Sequence, residues 1–397
     1  MIYSNEQTGY IREGGRILYK FVMPEVIFGK GSIDQAGDGC ARLGAQRVLV
    51  VSDDGVQAAG WTERVMESCL SAGLSVSLFT GVSINPTSEE VEACAGQYIH
   101  DSCDAVVGVG GGSVLDVAKA AAILATNGGH IRDYEGIDHI HRPLPPLVMV
   151  TTTAGSGSDV SQFAIILDPE RKKKMTIVSK SLVPDISIVD PAVLSTKSAR
   201  LTASTGLDVL THAIESYVSI ASTPLTDVHA KSSIQLCAKY LRESVASADN
   251  QYAKEQMAIA SLHAGLAFSN AILGAVHAIA HSIGGHYPFL HGDINAVMLP
   301  HVMKFNASAA PGRFKDIAHL LGENTDGLSS SEASDLAIAH VERLAVDIGA
   351  PLTLTGMGFK EESIPIISEI SLEDACMITN PRMITADEVA ALLYQAL

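Results

Sequence analysis

The sequence predicts an α/β domain built on a parallel sheet, residues 1–194, followed by an all-helical domain, residues 195–397. Three observations lead there. A chain of 397 residues is long for a single hydrophobic core. Its first half alternates short β-branched runs with helical patterns, and beyond about residue 195 nearly every pattern is helical.

Taken in order, "QRVLVVS" (46–52) reads as a strand and "GWTERVMESCLSAG" (60–73) as a helix closed by Gly73. "SVSLFT" (75–80) is a strand, "SEEVEACAGQYIHDS" (88–102) a helix and "DAVVGVG" (104–110) another strand. "SVLDVAKAAAILAT" (113–126) is helical, and "PLVMVTTT" (146–153), "KMTIVSK" and "DISIVD" supply further strands. Continuous apolar strands alternating with helices argue for a parallel sheet covered on both faces. After Asp190-Pro191, "SARLTASTGLDVLTHAIESYVS", "LTDVHAKSSIQLCAKYLRESVAS" and the Ala-rich run 250–285 have helical period, as do 333–349 and "TADEVAALLYQAL". There is no repeat and no low-complexity linker. Two domains joined so directly share a cleft, where ligands tend to bind.

Apolar residues make up 47% of the chain, enough for two cores. Net charge is −17, from 44 acidic and 27 basic side chains, which disfavours nucleic acid and anionic membrane as partners. The dense basic run Arg171-Lys172-Lys173-Lys174 reads as a solvated hairpin tip. Six scattered cysteines without C-x-x-C spacing read as buried free thiols in a reducing compartment. The opening "MIYSNEQTGYIREGGRILYKF" has no basic-then-apolar signal, and no apolar run approaches the roughly 20 residues of a membrane span. The expectation is a cytoplasmic protein.

Two loops carry nucleotide signals. In "DAVVGVGGGSVLDVAKA" the turn Gly110, Gly111, Gly112 lets backbone N–H groups approach a pyrophosphate at a helix N-terminus, with Ser113 suited to the N-cap. "TTTAGSGSD" (151–159) is a second hydroxyl- and glycine-rich loop after a strand, and the pair makes a Rossmann-like nucleotide site. The acid that would hold an adenosine ribose, Asp53, precedes the glycines rather than following them. Its charge repels a 2′-phosphate and so favours NAD over NADP. A capping aspartate in "SDDG" is the plainer alternative.

The helical half concentrates histidine. Asp208 and His212 in "GLDVLTHAIESY" lie four residues apart on one face, between apolar flanks. His277 and His281 share another face, "GG" at 284–285 ends that helix, and His291 sits in the following loop. One carboxylate with three imidazoles from this group forms an N/O set suited to Fe2+ or Zn2+ in a catalytic site. Any one of them alone reads better as a core histidine.

Together "GGGSVLDVAKA", "TTAGSGSD", "GLDVLTHAIESY", "GAVHAIAHSIGGHY…HG…NAVMLPHV" and "NPR" (380–382) resemble the iron-containing (group III) alcohol dehydrogenases, from about Phe21 to the C-terminus. "FVMPEVIFGKGSI" is similar to the family's opening hairpin, and residues 1–20 form an extension that fits either a dimer-wrapping arm or a tail. The resemblance implies a metal and NAD in the interdomain cleft and a homodimer or higher homo-oligomer. It assigns Asp208, His212, His277 and His291 to the metal, and His281 to the substrate's vicinity. Gly110, Gly111, Gly112 and Ser113 match the pyrophosphate loop, Thr152 and Thr153 the loop around the nucleotide, and Asp53 the position that favours NAD. Thr151, Ser156, Asp159 and Leu290 depart from the family's commoner residues and leave the ligand positions intact.

The implied reaction is reversible hydride transfer between a small primary alcohol or diol and NAD, with His281 as proton relay or as a partner that orients a metal ligand. Gln162, Phe163, Phe268 and His286 are candidate pocket residues, and His286 or an arginine not yet placed would serve a small anionic aldehyde in an alternative reductase. A dehydroquinate-synthase-like lyase would need a basic cluster beside the metal motifs, and none is seen. A non-catalytic NAD- and metal-binding scaffold is the remaining rival.

Overall fold

The computed structural model describes residues 11–13 and 16–397, with side chains from Tyr19 onward. The arm or tail expected at residues 1–20 therefore lies largely outside the described residues. Within that stretch only β1 (Ile11–Glu13) and β2 (Arg16–Leu18) appear, as an antiparallel pair.

Strands β3 (Glu25–Phe28), β4 (Arg47–Val51), β5 (Ser75–Phe79), β6 (Ala105–Gly110), β8 (Leu147–Thr151) and β11 (Ile186–Val189) form one parallel sheet in the order β3-β11-β8-β6-β4-β5. Helices α1 (Ala36–Arg42), α2 (Asp54–Ala58), α3 (Trp61–Ser71), α4 (Ser88–His100) and α5 (Gly112–Asn127) belong to this half. Side chains alternate across the strands. Leu49, Val51, Val106 and Met149 pack under α4 and α5, whereas Val48, Val50, Val107 and Val150 pack under α1 and α3. Burial on both faces explains why these strands read as unbroken apolar runs.

A second sheet, β7 (Gly136–Ile137), β10 (Lys173–Val178) and β9 (Phe163–Asp168), is mixed. The segment expected as an opening hairpin is instead the single edge strand β3, paired in parallel with β11. The chain leaves β3 through a 3-10 turn (Ser32–Gln35), so no second strand folds back on it.

The helical half contains α6 (Ala199–Val218), α7 (Pro224–Ala246), α8 (Gln251–Ala271), α9 (Ala275–His286) and α10 (His291–Asn306). It ends with α11 (Pro311–Leu320), α12 (Ser330–Asp347), α13 (Leu354–Met357), α14 (Ile364–Ser371) and α15 (Ala386–Gln395). Their inward faces make one continuous apolar core. The run 250–285 is broken into α8 and α9, which meet at 98° around Ile272. Ile272 takes φ +59°, a conformation a β-branched residue seldom adopts, so the bend is held by its surroundings. Among the described residues no single helix is long and apolar enough to cross a membrane.

Strand order locates the site. β5 lies on one side of β4 and β6 on the other, so the connections leaving β4 and β6 diverge and open a crevice at their C-terminal ends.

Candidate metal and cofactor site

A cleft of about 960 Å³ runs from that crevice to the helical half. Asp53, Gly111, Gly112, Ser113, Thr152 and Thr153 line its sheet end, and Asp208, His212, His277, His281 and His291 its helical end. Gly110 is not on the wall. It closes β6 beneath the loop, where an added Cβ would come within 2.4 Å of Val114.

At the sheet end, α5 begins at Gly112 with Gly111 as its N-cap, two residues before the expected cap. Ser113 is therefore not the cap: its hydroxyl donates to the Ile84 carbonyl at 2.6 Å. The helix start keeps N–H groups with no side-chain cap, the arrangement that attracts an anion. Thr152 Oγ1 is buried without a hydrogen-bond partner among the described residues. Asp53 Oδ1 accepts from Val56 N–H at 2.8 Å and so caps α2 while it also faces the cleft. The capping role is the one the hydrogen bond shows, and the carboxylate remains on the cleft wall.

At the helical end, α6 carries Asp208, His212 and Glu215 on one buried face. Asp208 Oδ1 lies 3.6 Å from His277 Nε2 and 3.8 Å from both His291 Nε2 and His212 Nδ1. Asp208, His277 and His291 form a cluster whose ligand atoms all lie within 4.8 Å of one another. His212 stands beside it, its ring stacked between His277 at 4.4 Å and Phe268 at 4.5 Å. Its buried Nδ1 has no hydrogen-bond partner among the described residues. His291 is not in a loop but is the first residue of α10. Nor do Gly284 and Gly285 end α9, which runs to His286. They let the β9–β10 turn pack on the helix: a Cβ at Gly285 would meet the Lys172 carbonyl at 2.4 Å.

The carboxylate and the three imidazoles perturb one another's titration. Burial acts to raise the Asp208 carboxyl, yet His212, His277 and His291 outweigh it and keep it well below the carboxylate range. For His277, burial opposes the charge, but hydrogen bonds to Asp208 and Glu215 push it up to about 9. Burial pushes His212 down to about 3 and His291 well below its ordinary value. An oxygen and imidazole nitrogens at this spacing, with the unpaired Nδ1 of His212 beside them, fit a divalent cation of borderline softness.

Three supporting residues escaped the sequence reading. Glu215 takes His277 Nδ1 at 2.6 Å and Val276 N–H at 2.7 Å, so one carboxylate orients the His277 imidazole and caps α9. Its signal was the spacing Asp208, His212, Glu215 within apolar flanks. Asn295 Nδ2 lies 2.7 Å from Asp208 Oδ1 and 3.2 Å from both His277 Nε2 and His291 Nε2. Asp374 Oδ2 accepts from His281 Nδ1 at 2.9 Å, which leaves Nε2 free. Asn380 of "NPR" accepts from Ala275 N–H at 3.2 Å, at the start of α9.

The basic run is not a uniformly solvated tip. Arg171 pairs with Asp168 and Glu135, and Lys173 with Glu135 and Glu373. Lys174 turns inward onto the cleft wall, where burial pushes its ammonium down to about 8 against the attraction of Asp116 and Asp208. Phe163 and Phe268 line the cleft as expected, but Gln162 and His286 do not. They hydrogen-bond the carbonyls of Ser269 and Ser282 instead.

Residues 24–191 match the family model for iron-containing alcohol dehydrogenase, and 202–397 match that for the Fe-containing alcohol dehydrogenase family, C-terminal. A 1,3-propanediol dehydrogenase of Klebsiella pneumoniae is 43% identical over 382 residues, 96% of this chain and 99% of that protein. The chain belongs to the iron-containing alcohol dehydrogenase family. Another relative is an NAD-dependent methanol dehydrogenase of Bacillus methanolicus, 40% identical over 377 residues, 95% of this chain and 99% of its own length. The crystal structure of a 1,3-propanediol oxidoreductase superposes with TM-score 0.93 at 42% identity, covering 96% of this chain and 100% of that one. As an iron-containing alcohol dehydrogenase, the protein is an alcohol oxidoreductase, and the family implies use of a metal and NAD.

Proposed function

We propose that the protein is a metal- and NAD-dependent dehydrogenase of a small primary alcohol or diol, working in reverse as an aldehyde reductase. One observation carries this reading: Asp208, His277 and His291 converge at one end of a cleft whose other end is a capless helix start and a threonine loop. Asp208, His212, His277 and His291 would hold Fe2+, with Zn2+ also suited to the same donors. A bound divalent ion supplies Lewis acidity to an alcohol or aldehyde oxygen, and NAD accepts or returns the hydride.

The chain's own groups do the rest. Gly111, Gly112, Ser113, Thr152 and Thr153 receive the dinucleotide, with Gly110 shaping the turn beneath. Asp53 favours NAD by repelling a 2′-phosphate. Phe163, Phe268 and Leu273 on the wall exclude water from the reacting carbon. His281, its Nδ1–H held by Asp374, carries the substrate proton toward solvent through Nε2. Lys174 offers a donor to the second hydroxyl of a diol. It is also the observation that favours an alternative, a reductase of small anionic aldehydes. The same reading takes the domain boundary between β11 and α6, at residues 194/195, and a cytoplasmic homodimer.

The experiment is a panel of alcohols, diols and neutral and carboxylated aldehydes with NAD(H) and NADP(H), on protein of measured metal content. Turnover that tracks bound metal, prefers NAD and favours neutral short-chain substrates supports the reading. Activity unchanged after chelation contradicts it, and a preference for anionic aldehydes that Lys174→Met abolishes selects the alternative.

A further inference from the structure

His281, Asp374 and Cys376 form a second cluster, separate in composition from the first. Their ligand atoms lie within 4.8 Å of one another, and all three side chains are buried. Asp374 caps the 3-10 turn Ala375–Thr379 and accepts from Cys376 N–H at 2.8 Å with Oδ1. Its Oδ2 receives His281 Nδ1–H at 2.9 Å and the Thr176 hydroxyl at 3.4 Å. The geometry points to a second cation site here, one that takes a thiophilic divalent ion such as Zn2+, Cd2+ or Co2+.

The argument is one of replacement. The carboxylate is a shared acceptor for an imidazole N–H and lies beside a thiol, and both of those groups become good ligands once their protons are displaced. In a tetrahedral zinc site with bonds of about 2.0–2.3 Å, neighbouring donors sit roughly 3.3–3.8 Å apart, so side-chain rotation closes the present spacing. The balance is simple. The ion binds as the Cys376 thiol gives one proton to solvent, and the His281 proton moves from Nδ1 to Nε2. Without an ion, burial and the Asp374 charge hold the Cys376 thiol well above its ordinary value, so the site is closed by protons rather than open. Cys376 and His281 both line the cleft, which gives an ion its entry path.

Chemistry separates the two sites. Asp208 and its histidines offer only nitrogen and oxygen, whereas this set adds sulfur and is the softer. Iron(II) therefore prefers the first site, and zinc or cobalt in excess fills the second. The proposal stands whichever ion the first site holds.

Titration of the protein as isolated with CoCl2, followed by absorbance, tests it. The expected result is a near-ultraviolet thiolate-to-cobalt charge-transfer band that saturates at one equivalent beyond the ion already bound. Cys376→Ser removes that band, Asp374→Asn weakens the cobalt affinity behind it at least tenfold, and Asp208→Asn leaves it in place. No band in the unmodified protein, or an equal band in Cys376→Ser, overturns the proposal. Loss of the band in Asp208→Asn overturns it too, since the thiolate would then belong to the first site. Loss of d–d absorption alone in that variant bears on the first site only.

Discussion

The two ends of the cleft are built by opposite means. The sheet side is shaped mainly by backbone, a glycine turn after β6 and a helix start without a side-chain cap, with the Thr152 hydroxyl of the loop after β8 and the Asp53 carboxylate beside them. On the helical side the contacts are side chains, carried on α6, α9 and α10 and fixed by other side chains. The difference teaches where each end breaks. The metal end fails when an atom is removed, and the nucleotide end when one is added.

Asp208→Ala should have the largest effect. Loss of the carboxylate shared by the histidine nitrogens should lower kcat/KM by about a thousandfold or more. NAD binding, followed by fluorescence titration, should stay within about twofold. Equal loss at both ends would erase the distinction. Glu215→Gln leaves every metal-facing atom in place but weakens the hold on His277, so competition with a chelator should show affinity for the ion reduced about 10–100-fold. An unchanged affinity would reduce Glu215 to a helix cap.

Gly112→Ala probes the other end. The new methyl would lie 2.8 Å from Ser156 Cβ, forcing the glycine turn away from the threonine loop. KM for NAD should rise about tenfold, a loss of about 1.4 kcal/mol, with metal content unchanged. Metal loss in that variant would show the two ends to be coupled.

The smallest effect concerns stability. Lys119 is fully buried on α5 and donates to the Ser161 and Phe163 carbonyls at 2.7 and 3.1 Å, yet burial pushes its ammonium down to about 8 from 10.5. Between those values the unfolded chain holds a proton that the folded chain has released. The Lys119 contribution to stability should therefore rise with pH across that window, and its cost is fully present below it. Denaturant unfolding at a series of pH values should show a more positive slope in the unmodified protein than in Lys119→Met, Lys174 contributing in the same sense to both.

How much of this was legible in the sequence depends on how each residue acts. The strands of the main sheet are buried on both faces, so β4, β6 and β8 stood out as apolar runs. Histidines are few and conspicuous inside apolar helices, which made His277, His281 and His291 visible before any fold was known. Glu215, Asn295 and Asp374 were not, because they act through partners 62, 87 and 93 positions away in the chain. No local pattern records such pairings. The basic run misled for a related reason. Arg171 and Lys172 are exposed at the turn, but strand alternation sends Lys174 inward, and only the packing of β10 on α9 decides which residue faces the cleft. The paired glycines at 284–285 carry the usual mark of a helix end, and it was the approach of the Lys172 carbonyl that gave them a different purpose.

The central claim is that α6, α9 and α10 together grip one divalent ion. An anomalous difference map from crystals of the protein, measured at the iron and zinc edges, addresses it directly. The account predicts a strong peak about 2.0–2.2 Å from an Asp208 oxygen, His277 Nε2 and His291 Nε2, lost in Asp208→Ala. Full activity in crystals that show no peak among these side chains would contradict it.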